Sequence, residues 1–428
     1  MTVLVILLFL LFLLMGIPIS LVLGMITLCY FFLVGNTTLL TSTPMRLFSG
    51  LENFGLLAVP LFMLAGELMN GGGITTRLVQ FARVFIGHVR GGLAYVTVVA
   101  NMFLASILGS ANAQAAMMSK VMVPEMEKEG YNKEFSSALT LASSIIAPII
   151  PPSMIFIIYG TLSGSSIGGL FMAGIIPGII YGIGFITLIA YMGYKNNYPK
   201  SERATAKEMV KSTVSVLPAL LVPIVIIFGI LSGAFTATES AGIACLIAFI
   251  VGAFLYRELD LKKLPQIFIN TVISTATVTF LIAMANIFGW MIAFEQIPQL
   301  IANSMLSISD SPFVFLLLVN IFLLLIGMIL DGIAALIILV PVLMPLVTAF
   351  QIDPIHFGVI ICINLTIGLL TPPVGTGLFI VSSIAEVRFE RLVKATMPFL
   401  IVAIVILFII TYWSDAVLLV PRLLGLTT

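Results

Sequence analysis

Eleven apolar blocks follow one another along this chain, at residues 3–35, 54–73, 92–124, 136–163, 166–194, 214–232, 240–256, 266–292, 312–350, 356–385 and 395–413. Several match or exceed the ~20 residues that cross a bilayer. Such a chain must satisfy its backbone hydrogen bonds inside lipid, and only helices and closed barrels do so. The runs are unalternating Leu, Ile and Val, which argues against the short alternating strands of a barrel. The expected fold class is therefore an all-α polytopic membrane protein. Composition agrees: of 428 residues 61% are hydrophobic and 9% charged. A formal net charge of +1 leaves no basic footprint for nucleic acid. Cys29, Cys245 and Cys362 are far apart inside apolar runs and read as small core residues, without a disulfide framework or metal site. The N-terminus lacks a basic region and a small-residue cleavage site, so it reads as a retained first span. Residues 3–35 form one tilted span or two short ones split at GIPIS.

Sidedness follows from Lys and Arg in short loops. Residues 195–212 carry Lys195, Lys200, Arg203, Lys207 and Lys211, and residues 256–266 carry Arg257, Lys262 and Lys263. Two spans separate these loops, so both are expected in the cytoplasm. Residues 293–311 carry Glu295 and Asp310 but no Lys or Arg and are expected outside.

Two blocks resist reading as single spans. Block 92–124 has a polar notch at GSANAQ (residues 109–114), and block 312–350 has one at GMILDG (residues 327–332). Each arm is about 15 residues, short of a full crossing. A re-entrant hairpin ending mid-membrane is favoured over two tightly turned spans. Two further blocks contain proline pairs, in APIIPPS (residues 147–153) and GLLTPPV (residues 368–374). Aligning the pairs gives an offset of 372 − 151 = 221, which also places Pro124 on Pro345 and Pro177 on Pro398 without a gap. Proline density alone gives about 0.2 such coincidences, so the halves read as an internal repeat. The same offset lays Ser110 on Asp331. Five crossings separate the hairpins, and an odd number makes the repeat inverted. Arg77, Arg83 and Arg90 before the first hairpin agree with entrance from the cytoplasm. Repeat symmetry also favours two short helices in residues 3–35.

Proline inside a helix removes a donor and clashes with the preceding turn. The freed carbonyls need partners, which a small hard cation supplies, and the half-helix after each pair presents its N-terminus to an anion. A simple kink repaired by Ser, Thr or water is the plainer alternative. The candidate ligands of a first sodium site are Ser106, Ser110, Asn112, Ala147, Pro148 and Ser153. Those of a second are Gly327, Asp331, Thr366, Gly368, Thr371 and Thr376. Asn112, Pro151, Pro152, Pro372, Pro373 and Gly375 are expected to face substrate. Asp331 is the carboxylate of its block, and an intramembrane charge is functional by default. Glu67 and Glu239 read as helix-end or interhelix hydrogen-bond partners, and His88 and His356 as neither catalytic nor metal-binding. The chain has no GxxxxGK[ST] loop and no HExxH, so neither ATP hydrolysis by that route nor an enzyme is indicated. No cofactor is expected beyond Na⁺ as a coupling ion.

PLFMLAGELMNGGGITTRL, GAFTATESAG, the APIIPPS run through SIGGLFMAGIIPG, and GLLTPPVG resemble the large membrane subunit of tripartite ATP-independent periplasmic (TRAP) transporters. The likeness covers nearly the whole chain and is nearest the sialic-acid type. It implies a multi-pass protein of the bacterial inner membrane, a small four-span membrane partner and a periplasmic substrate-binding protein. It also implies inverted repeats in an ion-transporter-like fold, and sodium-driven uptake of an organic acid by an elevator movement, with sialic acid ahead of a C4-dicarboxylate. On that basis residues 1–91 are N-terminal scaffold spans and 92–194 a first transport repeat with its broken helix at 147–153. Residues 195–292 are a cytoplasmic loop and further scaffold spans. Residues 293–428 are a second transport repeat, broken at 368–376, with the C-terminal span. The alternative is a stand-alone carboxylate carrier coupled to protons or sodium.

Overall fold

The computed structural model describes residues 7–426 except 10, 14, 36, 197, 199, 201 and 202. Among the described residues every regular element is helical and there is no strand. The helices are α1 (Ile19–Val34), α2 (Thr37–Ser49), α3 (Ala58–Gly71), α4 (Ile74–Ile86), α5 (Gly92–Leu108), α6 (Ala111–Lys128), α7 (Lys133–Ser144), α8 (Met154–Ser163), α9 (Ile167–Asn196) and α10 (Ala206–Leu231). They continue as α11 (Ala237–Ile250), α12 (Leu264–Phe294), α13 (Ile297–Ile308), α14 (Pro312–Gly327), α15 (Gly332–Ala349), α16 (Pro354–Ile367), α17 (Thr376–Ala385), α18 (Phe389–Tyr412) and α19 (Ser414–Leu423). Among the described residues seven helical segments are long and apolar enough to cross a bilayer. The chain is a multi-pass membrane protein.

Side-chain oxygens start many of these helices, because the first N–H groups lack intrahelical acceptors. Ser110, Asn132, Ser153 and Asp331 each accept from the turn they begin. Thr205 with Glu208 and Thr236 with Glu239 form reciprocal capping boxes on α10 and α11. Glu239 is thus the helix-end partner expected of it.

Four elements lie outside the apolar blocks: α2, α4, α13 and α19. Each mixes polar with apolar residues, so a search for uninterrupted hydrophobicity passes over it. On α4, Ile74, Thr75, Leu78, Ala82 and Val84 are buried, while Arg77 and Arg83 are partly exposed and reach neighbouring carboxylates, so polar residues alternate with the apolar face. Residues 293–311, expected as a loop, contain the helix Ile297–Ile308. The first block is divided at GIPIS: residues 11–13 are helical, Gly16 turns with φ 74°, and α1 begins after Pro18.

Two stretches share one succession of elements. In residues 92–196 a helical hairpin (α5, α6) is followed by a short helix, a break with a cis Pro151–Pro152 bond, another short helix and a long one. In residues 312–412 the same order recurs as α14, α15, α16, a break with a cis Pro372–Pro373 bond, α17 and α18. The hairpin arms have 17, 18, 16 and 18 residues, longer than the expected 15 or so, and the last of them, α15, is itself among the seven segments long and apolar enough to cross.

Contacts fix the direction of each stretch. At one end of the molecule Arg83 pairs with Glu129 (2.9 Å) and Glu125 (3.6 Å) at the foot of α6. There Glu134, at the start of α7, meets Arg391 at the start of α18 (3.4 Å). Tyr198 packs on Tyr131 and Phe135 at the same end, with ring centroids 5.1 and 4.9 Å apart. Arg77 joins that end to the 256–263 loop through Glu258 (2.8 Å). Toward the other end the Tyr159 hydroxyl of α8 donates to the Pro354 carbonyl that begins α16 (2.6 Å). Residues 133–163 therefore run away from the basic end, and residues 354–385 run back toward it. The foot of the first hairpin lies at the basic end and the foot of the second at the opposite end.

Candidate functional site

The two hairpin tips are built alike. At the first, Gly109 ends α5 with φ 56°, and the Ser110 hydroxyl caps α6 by accepting from Ala113 N (3.5 Å). At the second, Asp331 Oδ1 caps α15 by accepting from Ile333 N (3.0 Å). Ser110 and Asp331, matched by the sequence offset, hold the same structural position. Asp331 is exposed, and no Lys or Arg pairs with it among the described residues.

The tips meet. Asn112 Nδ2 donates to Asp331 Oδ2 (3.5 Å) and to Thr376 Oγ1 (3.4 Å), both at the outer edge of hydrogen-bond range. Asn112 Oδ1 is buried and has no donor within reach. Ser110, Asn112 and Pro148, expected in one ion site, share a cavity of about 50 Å³ with Asp331 and Thr366, expected in another. The sequence treated these as two separate sets, and the fold brings part of each around one space. That space holds only a few water-sized groups, since one needs about 10–15 Å³ of such volume.

The remaining residues take other places. Ser106 lies in the last turn of α5, and its side chain falls outside the described residues. Ala147 is buried within the break and lines neither the 50 Å³ cavity nor the larger one beside it. Ser153 Oγ donates to the Pro148 carbonyl (2.5 Å) and accepts from Phe156 N (3.3 Å). That carbonyl was expected to be free, and a neighbouring hydroxyl repairs it. One lone pair remains on it for another partner. Thr366 and Thr371 donate to the carbonyls of Cys362 (2.7 Å) and Ile367 (2.9 Å), leaving their lone pairs open. Gly327 and Gly368 are packing positions. A Cβ on Gly368 would stand 2.3 Å from the Gly327 carbonyl oxygen, so the second tip rests directly on the second break. Gly375, with φ 47°, starts α17 and donates to the Met328 carbonyl (3.4 Å). Pro151 and Pro152 are buried and line neither cavity, whereas Pro372 is half-buried and Pro373 exposed.

Sequence reading missed four buried amides. Asn101 of α5 donates to Ser143 Oγ of α7 (2.5 Å), and Gln114 of α6 donates to Asn101 O (2.8 Å) and Oδ1 (2.7 Å). In the second half Asn364 of α16 donates to Asn320 O (3.0 Å) and Oδ1 (2.8 Å), and Asn320 donates to Thr411 Oγ1 (3.1 Å). Asn364 stands at the offset of 221 from Ser143, while Asn320 stands 219 from Asn101, two residues out of register. These bonds tie the first arm of each hairpin to its own broken helix. For Asn101, Asn320 and Asn364 the signal was present as single amides within apolar blocks, because an unpartnered buried amide costs about 1–3 kcal/mol and so implies a partner.

Beside the tips is a second cavity of about 170 Å³. Ser110, Ala113, Met154 and Ile333 line one wall, and Glu67 of α3 with Asn270, Thr271 and Ser274 of α12 line the other. Glu67 therefore faces the space next to the tips, a place its span-end position did not suggest. The N-termini of α6 and α15 border these cavities, but each is already capped, by Ser110 and by the Asp331 carboxylate, so this end of the space offers oxygen ligands for a cation.

Comparison with known proteins follows the same line. The family model for the tripartite ATP-independent periplasmic transporter, DctM component, matches residues 6–416. The sialic acid TRAP transporter large permease protein SiaM of Vibrio cholerae is 38% identical over 408 residues, covering 95% of each chain. The 2,3-diketo-L-gulonate TRAP transporter large permease protein YiaN of Escherichia coli is 39% identical, covering 87% of this chain and 88% of its own. The C4-dicarboxylate TRAP transporter large permease protein DctM of Pseudomonas aeruginosa is 36% identical over 90% of both chains. Among solved structures the Alcanivorax borkumensis YdaH transporter superposes with a TM-score of 0.63 at 14% identity, over 89% of this chain and 88% of its own, a likeness of fold alone.

Proposed function

This chain belongs to the DctM component family of the tripartite ATP-independent periplasmic transporters, and from that premise we propose that it is the large membrane subunit of a sodium-coupled importer of an organic acid. Its relatives are permeases of transport systems and not enzymes. In this reading it lies in the bacterial inner membrane with its basic end in the cytoplasm. A small four-span membrane subunit accompanies it, and a periplasmic binding protein delivers the substrate. Sialic acid is the favoured substrate and a C4-dicarboxylate the next.

The carrying observation is the contact of Asn112 in the first tip with Asp331 and Thr376 in the second half. Hairpins rooted at opposite ends can touch at their tips only if both stop at a common depth. Irregular backbone at that depth is tolerated where it lines a cavity. The opposite directions of residues 133–163 and 354–385 support inverted repeats, with the site at their interface. The cation takes oxygens of Ser110, Asn112, Asp331 and Thr366, and Asp331 neutralises it. The substrate carboxylate takes the N-termini of the half-helices α8 and α17 that follow the proline pairs. A cavity of 170 Å³ is below the ~300 Å³ typical of a drug-sized ligand. A nine-carbon acid therefore needs the tips to separate from α3 and α12, which an elevator movement of the two repeats against the scaffold spans supplies. Net positive charge carried inward gains about 2.3 kcal/mol per unit charge per 100 mV.

Uptake into proteoliposomes tests this reading. With cognate small subunit and binding protein, labelled sialic acid should accumulate only under an inward sodium gradient, and unlabelled succinate should compete weakly. Accumulation by this chain alone would instead support a stand-alone carboxylate carrier. A second test concerns Asn112→Ala, which removes an oxygen from the ion cavity without touching a cap. The half-saturating Na⁺ concentration should rise about tenfold, the equivalent of about 1.4 kcal/mol. An unchanged sodium dependence would take Asn112 out of the site.

A further inference from the structure

The wall that α3 and α12 give to the 170 Å³ cavity differs in chemistry from the tips. Glu67 of α3 is half-buried there, and no Lys, Arg or His is among the lining residues. Among the described residues Glu67 enters no ion pair and no hydrogen bond. A half-buried carboxylate is an acceptor in need of donors, because withdrawing it from water without them is costly. Beside it on the wall are Asn270 and Ser274, one turn apart on α12, and Thr271. Asn270 Oδ1 accepts from Gln266 Nε2 (2.8 Å), which leaves the Asn270 Nδ2 hydrogens to donate. The Thr271 hydroxyl donates to the Ile267 carbonyl (2.9 Å), which leaves its lone pairs open. Ser274 is exposed, and its hydroxyl both donates and accepts.

The two walls therefore suit different ends of one ligand. Met154, the first residue of α8, lines the wall opposite Glu67. An anionic group held at that helix N-terminus leaves the rest of its molecule to meet α3 and α12. A hydroxyl group donates and accepts at once, and this wall offers acceptors, a donor and one negative charge. A second carboxylate only accepts, so no atom of it can bond Glu67, and the like charge repels it. We infer that Glu67, with Asn270 and Ser274, determines specificity: this wall binds the hydroxyl-bearing end of a polyhydroxylated monocarboxylic acid and excludes a dicarboxylate. The inference rests on the reading of the chain as an organic-acid permease and gives that reading its substrate class. The discrimination belongs to the membrane subunit itself, apart from that of the binding protein. Widening of the gap for a larger acid leaves the two chemistries on opposite sides of it.

The test leaves the binding protein out, because its own selectivity would mask that of the membrane subunit. The purified full chain with its small subunit, in saturating Na⁺, is titrated with N-acetylneuraminic acid and with succinate. Equilibrium binding is read by calorimetry. The parent chain should bind the sialic acid at least about tenfold tighter than succinate. In E67Q, which keeps the shape and one acceptor, that ratio should fall at least about tenfold, with succinate gaining and the sialic acid losing. S274A, a small change on an exposed part of α12, should weaken the sialic acid about threefold and leave succinate as it was. Should E67Q not fold, S274A decides. A parent-like ratio in folded E67Q, or in S274A where E67Q does not fold, overturns the specificity wall and leaves the permease reading standing. Succinate bound by the parent as tightly as the sialic acid does the same. Binding of neither acid in Na⁺ overturns the permease reading and this inference with it.

Discussion

Asp331→Asn is expected to cut sodium-driven uptake at least about tenfold, since in the proposed reading it removes the carboxylate that faces the bound cation, and an interaction with a charged group is worth about 1.5–3 kcal/mol. The substitution separates two roles of one side chain. Asp331 caps α15 through Oδ1 and reaches Asn112 through Oδ2. Asn is as good an N-cap as Asp, so helix α15 keeps its first turn. What disappears is the negative charge facing the 50 Å³ cavity. Expression, membrane insertion and thermal midpoint should therefore stay near those of the parent chain, and uptake alone should fall. Asp331→Ala loses the cap as well and should add about 0.5–2 kcal/mol of destabilisation. Transport by the Asn variant at the parent rate would remove the carboxylate from ion binding.

The second large effect is expected at Gly368. A methyl group there would meet the carbonyl oxygen, carbonyl carbon and Cα of Gly327 at 2.3, 2.4 and 2.7 Å. All three are backbone atoms, so the tip has to move off the break. Overpacking of this kind costs about 1–3 kcal/mol. Gly368→Ala should lose most sodium-driven uptake and unfold at a lower temperature. The partner glycine is a control: a Cβ on Gly327 would stand no nearer than 3.3 Å to its closest neighbour, Gly368 Cα. Gly327→Ala should therefore transport substantially better than Gly368→Ala. Equal loss in both would show that the contact between tip and break is not what sets the effect.

Much of this architecture was legible before any coordinates. Long unalternating apolar blocks dictate helices in lipid, and paired prolines dictate breaks, because both follow from single local rules. The offset of 221 placed Ser110 on Asp331, and the two residues do cap equivalent helices. Amphipathic helices such as Ile74–Ile86 were not legible as elements because Thr, Arg and Gln interrupt their apolar residues. The convergence of both candidate sets on one cavity was hidden for a different reason. It depends on contacts between residues 219 and 264 positions apart, Asn112 with Asp331 and with Thr376. No local pattern encodes such a distance. The buried amides Asn101, Gln114, Asn320 and Asn364 stood in plain view, but their partners are set by packing between helices. Pro148 shows the limit of counting freed carbonyls, since Ser153 lies close enough to satisfy one.

Pro152 and Pro373 belong to the two proline pairs whose alignment sets the offset of 221, yet Pro152 is buried and Pro373 exposed. If the two halves exchange environments as the carrier turns from one side of the membrane to the other, each half depicts what the other becomes. The burial of the first pair then describes the second pair in the opposite orientation, and the exposure of the second describes the first. In that proposed reading a single conformation would hold a template for its own counterpart, obtained by threading each half through the backbone of its twin.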